Sequence, residues 1–290
     1  MKRFATPILL ILALAACNDS TAPGAPGSAG STSSEGGFVP AAASAPTADD
    51  QALATEAASK VTELAALAEQ SPPPVAGTDY LLIPGGQPFQ PVPGKIELAE
   101  VFAYTCSHCF AFEPLMRAWA KSLPDDVSVQ YVPAVFGGPG DAYASAYYAA
   151  ESLGVLDRTH DALFRAMHVD HSFKQGAADE IAAFMGHYGV DSAQFKSVMQ
   201  SFAVLNKLKR SQQFMLQSKI DGTPTLVVNG KYHVLGKTRD DQVRIANQLI
   251  AQERAAGATA TPAAAPAAAT EPASAAAPAP TAAPEPAPAQ

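Results

Sequence analysis

Cysteine is rare in this chain: three residues in 290, at positions 17, 106 and 109. A zinc site built on Cys106 and Cys109 would need two further ligands at comparable spacing, and no second C-x-x-C or Cys/His pair supplies them. Charge is thin as well. Asp, Glu, Lys and Arg make up 16% of the chain, and 27 acids against 19 bases leave a formal net charge of −8. So few cations exclude nucleic acid as a partner. No Gly-rich phosphate loop follows a strand pattern, since Gly137-Gly138-Pro139-Gly140 reads as a turn. Internal repeats are absent, and the N-terminal apolar run, Pro7 to Ala16, is too short to span a bilayer.

That run has the length of a secretory signal core, and Lys2 and Arg3 precede it. Leu14-Ala15-Ala16-Cys17 resembles the bacterial lipoprotein signal box, in which the cysteine becomes the lipidated first residue. Residues 1–16 are therefore expected to be removed and Cys17 to carry the lipid, anchoring the protein to the inner or outer membrane. In an oxidising compartment this leaves one thiol pair, Cys106 and Cys109.

Composition divides the rest of the chain. Residues 18–46 are Ser, Gly, Ala, Pro and Thr with almost no large apolar side chains, too little to offset ordering entropy. A flexible tether is expected over 17–78, with one helix at 47–70 where Leu53, Ala57, Val61, Leu64 and Leu67 fall near helical spacing. Ser71-Pro72-Pro73-Pro74 ends it. As a coil, a tether of about 60 residues reaches about 45 Å. Residues 255–290 are almost wholly Ala and Pro and read as an extended, solvated spacer.

Residues 79–254 have the size of one domain with a substantial core. Strand patterns at 80–83, 95–105 and 127–134 flank a helix at 107–122 that contains Pro114, giving a β-α-β unit. Residues 141–217 show helical spacing throughout and read as an inserted helical subdomain. Thr225 to Tyr232 is a hairpin around Asn229-Gly230, and 239–254 closes as a helix. The class is α/β.

Cys106-Ser107-His108-Cys109 begins a helix directly after a strand buried on both faces. Backbone N–H groups at a helix N-terminus favour thiolate, so Cys106 is the accessible sulfur, and Cys109, one turn on, is the buried resolving sulfur. His108 stands between them and is expected to support the Cys106 thiolate. Each pKa unit of that support is worth about 1.4 kcal/mol, or about 30 mV, toward a more oxidising disulfide. Glu100 interrupts an apolar run, where an unpaired carboxylate would have a raised pKa. Glu113, one turn beyond Cys109, is expected at the surface or in a supporting position. His168, Asp170 and His171 lack a helix-face spacing and read as a solvated loop. At Thr223-Pro224 a cis bond would turn the Thr223 backbone toward an incoming peptide.

Together these residues resemble the DsbA group of the thioredoxin superfamily over about residues 80–254. The match rests on C-x-H-C at the head of a helix, the helical insertion, and Gly-Thr-Pro-Thr before the last hairpin. The resemblance implies a thioredoxin-like fold with an inserted helical subdomain, a cis bond at Thr223-Pro224 beside the cysteines, and a kinking role for Pro114. It also gives Glu100, six residues before Cys106, a part in moving the proton of the buried thiol. Gln130 is the only residue near the position of the lysine that some members pair with that glutamate. Ser107 stands where proline is commoner, and Thr223 where some members have valine.

The implied activity is that of a periplasmic thiol oxidase donating the Cys106–Cys109 disulfide to reduced or unfolded exported proteins. A DsbB-like membrane partner would reoxidise it, and no cofactor or metal is expected. Client backbone would lie beside Thr223 and Pro224, with Phe136 and Tyr104 as groove walls. The rival readings are a disulfide reductase or isomerase and, from another class, a non-enzymatic thiol-based metal or holdase module.

Overall fold

The computed structural model describes residues 48–257. The expected signal segment, Cys17, the tether up to residue 47 and the Ala/Pro-rich tail from 258 lie outside those residues.

Five strands form one mixed sheet: β1 (Tyr80–Leu82), β2 (Ile96–Phe102), β3 (Val127–Pro133), β4 (Thr225–Val228) and β5 (Tyr232–Val234), in the order β1-β5-β4-β2-β3. β2 runs parallel to β3 and antiparallel to β4, so it is paired on both edges. Every one of its residues is buried, as a near-continuous apolar run requires. Two of the seven are glutamates. Three residues apart on a strand, Glu97 and Glu100 face opposite sides of the sheet. Glu97 accepts the backbone N–H groups of Phe89 at 2.5 Å and Gln90 at 2.6 Å, which fixes the loop before the strand. Glu100 Oε2 is buried without a hydrogen-bond partner among the described residues.

Helix α2 (Ser107–Ser122) follows β2 and returns the chain to β3. Pro114 lies inside it and has no N–H for the carbonyl of Phe110. The insertion contributes α3 (Asp141–Ser152), α4 (Leu156–His168), α5 (Ala178–Gly186), α6 (Ser192–Met199) and α7 (Phe202–Gln217). Leu163, Phe164, Ile181, Met185 and Phe195 form its core, which is continuous with Phe102, Tyr104 and Cys109. The insertion therefore packs against the redox end of β2 and α2.

The β4–β5 turn has Asn229 and Gly230 both at positive φ, 49° and 63°, as a two-residue hairpin of right-handed twist requires. A Cβ on Gly230 would meet the Gln87 backbone at 2.1 Å, so glycine is needed twice over. Glu253, on α8 (Arg239–Ala255), accepts from Asn229 Nδ2 at 2.5 Å, Lys231 Nζ at 2.7 Å and Tyr232 Oη at 2.8 Å.

The folded part begins upstream of residue 79. α1 (Ala48–Gln70) is a 23-residue helix where one was expected at 47–70, and it docks on α2 and α8. Its buried stripe is Ala57, Val61, Leu64 and Ala68, whereas Leu53 and Leu67, expected on that stripe, are exposed. Gln248 Nε2 donates to the carbonyls of Ala68, Ser71 and Pro72 and ties the end of the helix to α8.

Candidate active site

Cys106 is the N-cap of α2, with extended backbone (φ −90°, ψ 115°), and its sulfur accepts the Cys109 N–H at 3.4 Å. The sulfur also lies 3.3 Å from the Thr223 carbonyl oxygen, and the Thr223–Pro224 bond is cis. Residues 117 apart in sequence thus meet at the head of one helix. Both thiols are unbonded in this structure; Cys106 is part-exposed and Cys109 is buried.

Their protonation states are driven apart. The Cys106 thiol is pulled down from 9.0 to about 5, first by a hydrogen bond from the Cys109 thiol. Partial burial opposes this, and the Thr223 side chain and the backbone N–H groups of Cys109 and His108 add to it. The Cys109 thiol is pushed far up, because it donates to Cys106 and because it is buried. The helix terminus thus holds one sulfur as thiolate and its neighbour as thiol, the asymmetry that directs attack to Cys106.

His108 is exposed, and what it brings to the sulfur is its backbone N–H. Glu100 is 1% exposed, and burial, the Glu113 carboxylate and the Cys106 thiolate, in that order, raise its pKa well above the usual carboxylate range. Gln130 does not face it. Gln130 is in register with Ala99, so it sits on the other face and donates to Ser128 Oγ at 3.0 Å, while Tyr131 is in register with Glu100.

Two further expectations are corrected, for Tyr104 and His168, and Glu113 takes the supporting one of its two expected places. Tyr104 is 2% exposed and cannot wall an open groove; its hydroxyl lies 2.6 Å from His160 Nδ1. Phe136, at 54%, is open to solvent. Glu113 is buried, with one carboxylate oxygen 3.5 Å from His160 Nε2 and the other 3.5 Å from Arg117 Nη2. His168 ends α4 instead of lying in a solvated loop: its ring stacks on Phe110 at 5.0 Å and Nε2–H donates to the Tyr104 carbonyl at 2.7 Å.

Sequence reasoning passed over His160 and Tyr131. The available signal was weak: His160 sits one turn before Leu163 and Phe164 on the apolar stripe of α4, where a histidine reads as packing. Among the described residues no group of three or more His, Cys, Asp or Glu could hold a metal ion.

The DSBA-like thioredoxin domain family matches residues 97–248. The thiol:disulfide interchange protein DsbA of Pseudomonas aeruginosa is 36% identical over 199 residues, 68% of this chain and 93% of that protein. The DsbA of Azotobacter vinelandii is 38% identical over 183 residues, 62% of this chain and 85% of its own length. Among solved structures, the oxidoreductase DsbA from Xylella fastidiosa superposes with a TM-score of 0.61 at 42% identity, covering 63% of this chain and 98% of that one. With a thiolate and a thiol one helical turn apart beside a cis Thr-Pro bond, the chain belongs to the DsbA family of thiol:disulfide interchange proteins and is a protein disulfide oxidoreductase.

Proposed function

We propose that this protein is a periplasmic thiol oxidase that donates the Cys106–Cys109 disulfide to reduced exported proteins. A client thiolate attacks Cys106 Sγ, the Cys106–Cys109 bond breaks, and Cys109 leaves and takes a proton. A second client thiolate then attacks the client sulfur of the mixed disulfide, and Cys106 leaves as thiolate. The observation that carries the reading is the low pKa of Cys106, about 5, because a stabilised thiolate is a good leaving group and favours the reduced enzyme.

The other parts follow the same logic. Glu100, whose proton affinity is raised by burial and by the neighbouring Glu113 and Cys106 charges, is the acid that supplies the Cys109 proton. His108 supports the thiolate through its N–H, and Thr223 and Pro224 present the backbone edge on which an extended client pairs. The DsbA relatives suggest a DsbB-like membrane reoxidant. Lipidation at Cys17 is the proposed anchor, on the strength of the Leu14-Ala15-Ala16-Cys17 signal box. The test is a pair of variants, the first assayed with a reduced client and the second with the same client in its disulfide form. Cys106→Ser is expected to abolish exchange, and in Cys109→Ser the Cys106 thiolate is expected to attack the client disulfide and accumulate a mixed disulfide on non-reducing gels. Adducts through Cys109, or exchange that survives Cys106→Ser, would overturn the assignment.

A further inference from the structure

At the end of α2 away from the cysteines, a cavity of about 780 Å³ lies between α1, the turn at Leu123-Pro124 and α8. With a rise of 1.5 Å per residue, about 20 Å of helix separates Trp119 on its wall from Cys106. The wall is mostly apolar, with Val61 and Ala68 from α1, Trp119 from α2 and Ile250 from α8. A concave apolar surface with a few polar groups is the usual form of a binding site.

One of those polar groups has no partner. Asn247 lines the cavity, and its Oδ1 accepts the Trp119 indole N–H at 3.0 Å, which fixes the orientation of the amide. Asn247 Nδ2 is left buried without a hydrogen-bond partner among the described residues. It calls for an acceptor. The next residue shows what kind of backbone this face of α8 takes. Gln248 Nε2 donates to the carbonyls of Ala68, Ser71 and Pro72 at 3.2, 3.3 and 2.8 Å, so one proline-rich segment is already held through its carbonyl oxygens. Proline has no N–H, so such a segment brings acceptors to a donor without leaving a donor of its own unmatched.

We propose that the cavity is the docking site of the Ala/Pro-rich tail of the same chain, residues 258–290, which lies along α1 with a backbone carbonyl on Asn247 Nδ2. The tail has the matching chemistry. It carries eight prolines between 262 and 288, and most of its other residues are alanine. That composition favours polyproline II, whose backbone carbonyls are free to pair. Four residues of it span about 12 Å, the length of α1 from Val61 to Glu69. Proline rings and alanine methyls suit a wall of alanine, proline and tryptophan, as aromatic-lined grooves take proline-rich peptides. Connectivity selects the tail over a separate partner. Ile250, Ala251, Gln252 and Arg254 of α8 line the cavity, and the tail starts four residues past Arg254. Between them Gly257, at φ 69°, turns the chain out of the helix. A segment tethered so closely is present at an effective concentration of about millimolar, so modest contacts hold it. Docked there, the tail clasps α1 to α8 and stays clear of the thiols.

The test is the indole N–H resonance of Trp119, the one tryptophan of the chain, in the full-length oxidised protein. Converting all eight tail prolines, from Pro262→Ser to Pro288→Ser, is expected to shift it. A synthetic peptide of residues 258–290 added to that variant is expected to move it back in a saturable titration. Ala251→Tyr, at an exposed position on the cavity wall, is expected to remove the response to the peptide. The same resonance in the parent and the serine variant, with no response to the peptide, overturns the proposal. A response to a peptide of residues 18–47 in place of 258–290 gives the cavity to the N-terminal segment and overturns it too. So does a parent resonance that moves on dilution, which places the tail on a second copy. A response that survives Ala251→Tyr puts the contact elsewhere on the molecule. If Ala251→Tyr does not fold, Ala65→Tyr, at the exposed position on α1, decides the point in the same way.

Discussion

Cys106 at a pKa of about 5 is ionised at neutral pH, whereas a thiol with its ordinary value of 9.0 is not. At pH 7 that ionisation favours the folded dithiol by at most about 2.7 kcal/mol, or about 60 mV, and solvent screening around a part-exposed sulfur trims it. The pKa is depressed on folding, so this stability is complete above pH 9 and is lost as pH falls toward 5. Lowering the pH from 7 to 5 is therefore expected to lower the melting temperature of the reduced form relative to the oxidised form by several degrees, about 2–4 °C per kcal/mol for a domain of this size. Calorimetry of the two forms across that range measures it, and a pH-independent difference would contradict the thiolate. At this scale the sequence was informative where chemistry is local. A carboxylate in a seven-residue buried strand marks itself as buried, as Glu100 does. Tyr104 was misread and His160 missed because each is covered by the other, 56 residues away in sequence, and helix spacing cannot say which distant face covers a side chain.

Helix α1 makes the same distinction between what spacing encodes and what packing decides. Its existence and limits were legible from apolar spacing, but its docking was not, because its partners Trp119 and Ile250 come from helices far along the chain. Which apolar residues face the core followed from those partners, so Leu64 is buried and Leu67 is not. The β2 run, the hairpin at Asn229-Gly230 and the closing helix were legible because each carries its own turn or burial signal. Leu64, 2% exposed, lies between α1 and the helices beneath it. Leu64→Ala is expected to cost about 2–5 kcal/mol in chemical denaturation. The Cys106 thiolate titration, followed by its ultraviolet absorbance, should stay in place because the site is built from other elements. A shifted titration would show that α1 helps to set the redox helix.

At the scale of the molecule, the sheet brings β2, α2 and the Thr223–Pro224 loop to one point, and the insertion seals the apolar side beneath it. Fold class and insertion were readable from the alternation of strand and helix patterns, while the 117-residue separation between Cys106 and Thr223 was bridged in sequence only by resemblance to the family. The proposed oxidase rests on this arrangement, in which the Cys109 thiol, the Thr223 side chain and the N–H groups at the helix head favour the reduced thiolate against the opposing effect of partial burial. Equilibrating the full-length protein with glutathione and quantifying Cys106–Cys109 tests this most directly. The expected midpoint lies well above that of thioredoxin, about −270 mV, and rises as the pH is lowered less steeply than for a pair of ordinary thiols. A midpoint at or below thioredoxin's would contradict the oxidase.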